Sequence, residues 1–342
     1  MKKLFFIVTT LIIIFNSCST DFEVNAPWED KTIIFGLLDQ SDSVQYVKIN
    51  KAFLGKDDAY NMAAVSDSFN YSNLNVSLQR FRNDELVQTI LLEPTNEIVK
   101  DTGIFATDNN LVYKTNTRIY RNADYKIIVE IPATGKIVYA ETTTIDSFKI
   151  ERPFDIQTTS EIPINFAQTA PVQIKWKPAR NSKLCYITMY FNYYDIVGTD
   201  SILQQIELSL SPNVYTSTDN DGLSGTTPNE VKDLYGEDFY KFVASSLDVP
   251  ETGTKRLAKS LDFEFYCASD DYYTYYQVNN STTGLSQDKP LFTNVKNGYG
   301  LFTSKYKQTV YAKKLNPESL DSLSRGRYTK HLKFADGSNS WN

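Results

Sequence analysis

The sequence has only one histidine among its 342 residues, His331. This count excludes a metal site built from several histidines and an acid–base pair of two histidines. His331 stands between Lys330 and Leu332 in a polar stretch near the end of the chain. We therefore expect a solvated histidine there and not a member of a catalytic triad.

Positive charge is also limited. The chain has 35 lysine and arginine residues against 41 aspartate and glutamate residues, a net charge of −6, and it contains no basic run. Nucleic acid binding needs concentrated lysine and arginine, because the phosphate backbone dominates the attraction. The composition therefore excludes nucleic acid as a partner.

Long apolar runs are absent apart from one at the start of the chain, residues 4–15. This run follows Lys2 and Lys3, lies just before Cys18, and is too short for a permanent membrane span, which needs roughly twenty apolar residues. A positive start, a short apolar core and a cysteine at the cleavage point are typical of a lipoprotein signal. We predict that residues 1–17 are removed and that Cys18 is the lipid attachment site.

The alternative for Cys18 is an ordinary residue at the end of a cleaved secretory signal. Ser19, which follows it, is not the aspartate that commonly retains lipoproteins at an inner membrane. We therefore predict an outer-membrane location, with residues 18–30 as a tether. Loss of Lys2 and Lys3 with the signal changes the net charge from −6 to −8.

Cysteine is otherwise scarce, because only Cys185 and Cys267 follow Cys18. Each lies in an alternating apolar run and is predicted to point inward from a strand. The exported compartment permits a disulfide, but the bond requires neighbouring strands with Cα atoms about 5.5 Å apart. Two separately buried thiols are the favoured prediction, and a disulfide is the alternative.

Tyrosine and phenylalanine are abundant, with 23 and 20 residues, and such a bias favours half-buried strands. Alternating apolar residues and turns predict strands at residues 32–38, 44–53, 74–79, 86–92, 125–131 and 136–144. No helical crossover is predicted between them. The pattern predicts a mainly β protein whose residues 31–146 form an immunoglobulin-like β-sandwich.

Residues 147–170 show little alternation and are predicted to be a linker. A second β-rich domain is predicted at residues 171–335, with a tail at 336–342. The strands at 172–177 and 184–196, with Trp176 facing inward, resemble the B and C strands of a fibronectin type III domain. Apolar residues at spacings of three and four predict a helix at 228–247, and Asn316 before Pro317 predicts the start of a shorter one.

Two pairs of carboxylates are candidates for catalysis. Two such groups can hydrolyse a glycoside when they face each other across the bound sugar. The pairs are Asp262 with Glu264, and Asp270 with Asp271. The solvent face of a strand explains the first pair and the start of a helix explains the second. We therefore predict no catalytic residues and no cofactor.

A calcium loop is the one metal site that the sequence resembles. The residues are Asp219, Asn220, Asp221 and Gly222. The bidentate glutamate expected at the twelfth position of such a loop is absent. We therefore predict a simple turn and no metal.

Tyrosine runs are the remaining candidates for a binding surface. They comprise Tyr190, Tyr193 and Tyr194, and then Tyr266, Tyr272, Tyr273, Tyr275 and Tyr276. Tyrosine has a large apolar ring with a polar end, which suits a binding surface and strand packing equally. Packing is favoured because alternate residues of a strand face inward. A platform for a sugar or a peptide is the alternative.

Three stretches of the chain carry a resemblance to a known family. The motif residues at 290–306 are Asn294, Val295, Gly298, Gly300 and Phe302. Residues 36–55 and the tyrosine run at 271–277 show the same likeness. On these residues the chain resembles a family of Bacteroidota outer-membrane lipoproteins known as a domain of unknown function. Asp21 and Glu23 also resemble the acidic export signal of Bacteroidota surface lipoproteins.

The resemblance implies an outer-membrane lipoprotein, often encoded near TonB-dependent receptors. It implies no known activity and no catalytic residues. Gly298 and Gly300 fit a β-bulge or a close approach of two backbones, since no helix start follows them to form a phosphate loop.

We predict a lipid-anchored, non-catalytic accessory or binding lipoprotein. The expected partners are the membrane, through the lipid on Cys18, and a TonB-dependent outer-membrane receptor or an envelope assembly system. An adhesin or structural envelope protein is the first alternative. A carbohydrate-active enzyme is the second.

Overall fold

The structure is a computed structural model, and it describes residues 31–52, 59–153, 162–214, 228–280 and 291–341. Strands account for 47% of the chain and helices for 15%, which confirms a mainly β protein with several antiparallel sheets. Cys18, the tether at 18–30 and the calcium-like loop at 219–222 lie outside the described residues. In the part of the chain that the structure describes, no helix has the length and apolar character of a membrane span.

The strands are β1 Thr32–Asp39, β2 Gln45–Lys51, β3 Asn75–Arg82, β4 Glu85–Leu91, β5 Glu93–Thr95, β6 Val112–Thr115, β7 Asp124–Ile131, β8 Lys136–Thr143, β9 Ile150–Arg152, β10 Val172–Trp176, β11 Leu184–Val197, β12 Asp200–Ser209, β13 Asn213–Val214, β14 Glu230–Leu234, β15 Thr254–Ala268 and β16 Gly298–Lys313. The described helices are α1 Ala59–Ala63, α2 Ser66–Phe69, α3 Gly236–Ser246, α4 Asp270–Asn280 and α5 Pro317–Arg325, with a 3-10 helix at Lys330–Leu332.

Nine of these strands form one long sheet. Its order is β12-β11-β15-β16-β1-β2-β6-β5, and β13 pairs with β11. The pairs in this sheet are antiparallel except for β1 with β16, which is parallel. Two smaller sheets have the orders β4-β3-β7-β8 and β14-β10-β9. The long sheet therefore contains strands from both predicted domains.

The first core lies between the sheet β4-β3-β7-β8 and the β1–β2 part of the long sheet. Ile34 and Ile49 from the long sheet are fully buried with Ile127 and Val129 of β7. Ile127 and Val129 belong to the alternating run predicted at 125–131, and their burial agrees with the period of two of a strand that has one buried face. Six of the predicted strands pair antiparallel with their neighbours in sequence, as β1–β2, β3–β4 and β7–β8.

The second core lies on one face of β11 and β15. Phe191 and Phe263 from these strands are fully buried with Trp176 of β10 and Phe239 of α3. Residues 147–170, predicted to be a linker, also contribute to this core through Phe148, Ile164 and Phe166. The structure does not describe residues 154–161. The described part of this segment therefore packs as part of the fold.

The helix predicted at 228–247 is shorter in the structure. Residues 230–234 form β14, which pairs with β10 from Val172 opposite Leu234 to Trp176 opposite Glu230. The helix α3 begins only at Gly236. The spacing of Val231 and Leu234 is compatible with a helix and with a strand. Residues 230–234 form a strand because they pair with the edge of β10. The second predicted helix, α5, is confirmed, since Asn316 Oδ1 accepts a hydrogen bond from Ser319 N at 3.0 Å.

The motif glycines lie where the first and the last strand of the described chain, β1 and β16, pair. Ile34 of β1 pairs with Gly300 of β16, and a Cβ on Gly300 would stand 2.0 Å from the Ile34 carbonyl oxygen. A Cβ on Gly298 would stand 2.6 Å from the carbonyl oxygen of Thr32. On the neighbouring strand, a Cβ on Gly36 would stand 2.7 Å from the ring of Phe302. The expectation of a close backbone approach is therefore confirmed, and the motif closes the β1–β16 junction.

Candidate functional site

The helix α4 carries most of the second tyrosine run on the protein surface. Of the described residues, none within this helix is buried. Asp270 and Asp271 occupy its first turn, where negative charge is favourable near a helix N-terminus. The prediction that this run packs in a strand is therefore wrong for residues 272–276. Tyrosine favours strands, but positions three and four apart bring Tyr272, Tyr275 and Tyr276 to one side of a helix.

That side of α4 meets aromatic residues of the long sheet. The ring centroids of Tyr276 and Tyr186 lie 6.2 Å apart, and those of Tyr275 and Phe35 lie 6.1 Å apart, both edge to face. Edge-to-face pairs at this separation are favourable because the positive ring edge meets the negative ring face. We define the tyrosine surface as Tyr186, Tyr266, Tyr272, Tyr275 and Tyr276.

Asn294 fixes the start of α4 against β16. Its Nδ2 donates to Asp271 Oδ2 at 2.8 Å and to the Phe302 carbonyl oxygen at 2.7 Å. Its Oδ1 accepts from Phe302 N at 2.9 Å. The side chain of Ser269 adds a buried hydrogen bond with the hydroxyl of Thr303. These hydrogen bonds hold the start of α4 against β16. The sequence did not predict this role for the motif asparagine.

A lysine and a buried carboxylate lie beside the tyrosine surface. Lys305 Nζ stands 4.9 Å from the ring centroid of Tyr266 and 3.6 Å from Asp39 Oδ2. Burial raises the pKa of the Tyr266 phenol, and the negative charge of Asp39 raises it further. Burial likewise raises the pKa of Tyr186, with Tyr272 adding to the effect. Both phenols therefore stay protonated at neutral pH and can donate hydrogen bonds.

The first tyrosine run divides between the two faces of β11. Tyr193 is buried in the second core and stacks on Phe191 at a ring separation of 5.9 Å. Tyr190 and Tyr194 are half-buried on the opposite face, and Lys259 Nζ lies 5.3 Å from the Tyr194 ring centroid. Inward packing was predicted correctly for Tyr193.

An acidic cavity adjoins the start of α4. It has a volume of about 510 Å³ and lies between α4 and the sheet β4-β3-β7-β8. Its charged lining consists of Asp84, Asp124, Glu141 and Asp271 with one lysine, Lys126. Lys126 Nζ lies 2.8 Å from Glu141 Oε1. Carboxylates therefore outnumber cations in this cavity, directly beside the tyrosine surface.

The carboxylates of the cavity differ in their environments. The Thr143 hydroxyl donates to Asp124 Oδ1 at 2.6 Å. Burial raises the pKa of Asp271, the hydrogen bond from Asn294 partly offsets this, and Asp270 adds to the rise. Among the residues that the structure describes, no group of three or more histidine, cysteine, aspartate or glutamate side chains is placed to hold a metal ion.

The catalytic candidates on β15 make structural contacts. Asp262 accepts hydrogen bonds from Asn192 Nδ2 at 2.9 Å and from Ala312 N at 2.7 Å. Ala312 has a φ of 57°, and the register of β15 with β16 shifts at this point. Asp262 therefore stabilises a bulge in β16. Glu264 lies 3.7 Å from Lys307 Nζ, and both face solvent on the same side of the sheet.

His331 lies in the 3-10 helix and is exposed, which confirms the predicted solvated histidine. The two remaining cysteines are directly opposite each other on neighbouring strands, Cys185 of β11 and Cys267 of β15. Both are fully buried, and their Sγ atoms are 2.9 Å apart. The disulfide alternative required the two cysteines to lie on adjacent strands, and the structure places them there.

Comparisons with known proteins give little further information. No family model matches the chain. No curated protein matches it. Seven chains of solved structures match, and one belongs to a structure described as "Cytokine receptor complex - Crystal form 1A". That chain is 9% identical, the match covers 82% of this chain and 96% of that one, and the TM-score is 0.21. A likeness this distant carries no argument about topology or function.

Proposed function

We propose that the protein is a lipid-anchored outer-membrane lipoprotein that binds a partner and has no catalytic activity. Its partner is a TonB-dependent receptor or a component of an envelope assembly system. The signal that ends at Cys18 supports the location. The family resemblance supports the association with TonB-dependent receptors.

The observation that carries the binding role is the tyrosine surface. Three of its five tyrosines stand on α4, an 11-residue helix of which no described residue is buried in a core. Tyrosine is enriched at the centres of protein interfaces because it buries a large rigid ring and keeps a hydrogen-bonding end. The bonds from Asn294 hold this helix in place before any partner arrives.

The acidic cavity indicates the chemistry of the partner. Four carboxylates and one lysine line it next to α4. Lysine and arginine side chains are attracted both to carboxylates and to the faces of tyrosine rings. The partner surface that fits this arrangement presents lysine or arginine residues.

The contacts of the candidate carboxylates support a non-catalytic role. Both oxygens of Asp262 accept hydrogen bonds from the fold, and Glu264 is directed toward Lys307. A glycosidase needs one carboxyl group with a raised pKa facing a second across a cleft. The pairing of Asp262 and Glu264 along one strand face does not supply that arrangement.

The finer fold assignment is part of the proposal. We assign residues 31–146 to an immunoglobulin-like sandwich and residues 171–335 to a fibronectin III-like domain with helices. The face-to-face packing of two sheets around Ile34 and Ile127 supports the first assignment. The buried Trp176 beside the long strand β11 supports the second.

Co-purification from native membranes tests the binding role. The full-length lipidated protein with an affinity tag is extracted in mild detergent, and the proteins that accompany it are identified. The double variant Tyr275→Ser with Tyr276→Ser is compared with the control Tyr235→Ser, whose side chain is 48% exposed at the start of α3. We expect an outer-membrane barrel with the wild type and the control, and its loss with the double variant.

Three other results would contradict parts of the proposal. Recovery of the protein alone would contradict the association with a receptor or assembly system. Equal recovery of the barrel by the double variant would mean that the tyrosine surface is not the contact. Binding to a component outside the cell's own envelope would favour an adhesin.

A further inference from the structure

A group of exposed apolar side chains lies on α1, at the residue before α2 and on the segment before β6. Val99 is 93% exposed and Tyr60 is 67% exposed, and Val65, Ile104 and Phe105 are also exposed. We call these five residues the apolar patch. Single exposed apolar residues are common, but a contiguous group on a soluble surface indicates an interaction site.

Internal contacts hold the two halves of the apolar patch together. The rings of Phe105 and Phe69 meet edge to face with centroids 5.7 Å apart. Ala106 N donates to the Ala63 carbonyl oxygen at 2.8 Å. Lys100 Nζ donates to the Ala106 carbonyl oxygen at 3.3 Å. The segment that carries Val99 and Ile104 is therefore fastened to α1 and α2, and both of these apolar side chains are exposed.

The apolar patch lies beside the point where the chain enters the fold. Ala52 N donates to the Lys31 carbonyl oxygen at 2.8 Å. Asn50 Nδ2, two residues earlier and within β2, donates to the Phe69 carbonyl oxygen at 3.1 Å. The hydroxyls of Thr32 and Tyr71, which follows α2, are hydrogen-bonded at 2.8 Å. The region of α2, beside the patch, thus contacts β1 and β2, and β1 begins just after the tether.

We infer that the apolar patch rests on the lipid bilayer and orients the protein on the membrane. The inference depends on the proposed lipid anchor at Cys18. The tether between Cys18 and Lys31 reaches at most about 45 Å even when fully extended, so the entry point stays within reach of the bilayer. The patch is on that side of the fold and enters the headgroup region.

The chemistry of the patch fits a lipid surface. Aromatic side chains favour the boundary between headgroups and acyl chains, and aliphatic side chains insert below it. Lys100 Nζ stands 5.0 Å from the ring centroid of Phe105, so its charge lies at the rim of the patch. A long lysine side chain can extend toward the headgroups while its stem remains on apolar surface.

A fluorescent probe at Val99 tests this orientation. The variant Val99→Cys of the full-length lipidated protein is labelled with an environment-sensitive fluorophore and reconstituted in vesicles of phosphatidylethanolamine and phosphatidylglycerol. Cys185 and Cys267 are fully buried and stay unlabelled. The matched control is Val197→Cys, 50% exposed at the end of β11 and four strand spacings, about 19 Å, from β2 in the sheet.

We expect a blue shift and severalfold brighter emission for the Val99 probe, with quenching by lipids brominated on the acyl chain. The Val197 probe should show neither change. The variant Ile104→Cys provides a second site in case labelling at Val99 disturbs the fold, and it should respond in the same way. Thermal unfolding of each labelled protein confirms that the fold is intact.

The possible contrary results are distinguishable. If the protein floats with vesicles while the Val99 and Ile104 probes emit like the Val197 probe, the proposed orientation is wrong and the lipid anchor is supported. If the protein does not float, the anchor is wrong and the orientation falls with it. If the blue shift appears without lipid in the Cys18→Ser protein, a second copy covers the patch, which also overturns the inference.

Discussion

Gly300 should tolerate no side chain, because it lies where the backbones of β1 and β16 approach each other closely. Its φ is +113°, and an added Cβ would stand 2.0 Å from the carbonyl oxygen and 2.8 Å from the carbonyl carbon of Ile34. Ile34 is its partner in the parallel pair of β1 and β16. The obstacle is backbone, so no rotation of a side chain can relieve it.

Two costs add in the variant Gly300→Ala. The positive φ alone costs an alanine about 1–2 kcal/mol. The second cost arises because the Ile34 carbonyl must move by roughly 1 Å to reach an ordinary contact distance, which loosens the packing of a core side chain and costs about 2–4 kcal/mol more. We expect the free energy of unfolding to fall by about 4 kcal/mol, a large share of the 5–15 kcal/mol typical of a domain.

Urea unfolding followed by circular dichroism measures this loss. The matched control is Gly253→Ala, because Gly253 also has a positive φ, +93°, but an added Cβ there meets nothing within 4 Å. The control should lose only the conformational cost of about 1–2 kcal/mol. If the two variants unfold at the same urea concentration, the close approach of β1 and β16 is not what Gly300 serves.

Three further predictions concern a partly buried lysine, a buried cysteine pair and a partly buried aspartate. Burial lowers the pKa of Lys48 to about 8, with Lys100 adding to the effect, from an ordinary value of 10.5. The unfolded state therefore binds more protons than the folded state between pH 8 and 10.5. Over this range the free energy of unfolding of the wild type should rise relative to that of Lys48→Gln. If the urea midpoints of the two proteins change with pH in the same way, the prediction is refuted. In protein from an oxidising envelope, Cys185 and Cys267 should form a disulfide, which lowers the mass by two hydrogen atoms. The bond links residues 82 positions apart, so it should stabilise the fold by about 4.5 kcal/mol. Two reactive thiols in the unfolded protein would contradict this prediction. Asp262→Ala should lower the free energy of unfolding by about 1–3 kcal/mol through the loss of two hydrogen bonds, and an unchanged melting temperature would argue against its structural role.

The strands of the first core could be predicted because their two faces differ. Val76 and Leu78 alternate with polar residues, and the structure buries both in β3. The pairing of β1 with β16 could not be predicted in this way, since about 265 residues of chain separate the partners Thr32 and Gly298. The sequence contained the glycine motif, but the reason for the glycines is a contact with a distant strand.

The candidate site was only partly predictable. The pair Asp270 and Asp271 was correctly explained as the start of a helix. The tyrosines of residues 272–276 were nevertheless expected to pack as in a strand, because the helix has no apolar stripe to mark its course. Neither the clamp made by Asn294 nor the acidic cavity has a sequence signature, because both bring together residues from distant parts of the chain.

The contribution of the predicted linker to a core also had no sequence signature. Residues 147–170 lack alternation, yet Phe148, Ile164 and Phe166 are buried in the second core. Irregular segments can bury single aromatic side chains without a repeating pattern. The helix α3 was placed correctly at Phe239 and Val243, and its start was wrong because a short strand pairs with β10 just before it.

Metabolic labelling of Cys18 tests the central claim most directly. Cells that express the wild type, Cys18→Ser or the control Cys185→Ser are fed a palmitate analogue with a clickable tag, and the envelopes are washed with carbonate. The account predicts label and carbonate-resistant attachment for the wild type and the control, and loss of both for Cys18→Ser. Absence of label on the wild type, or retention of Cys18→Ser in washed envelopes, would contradict it.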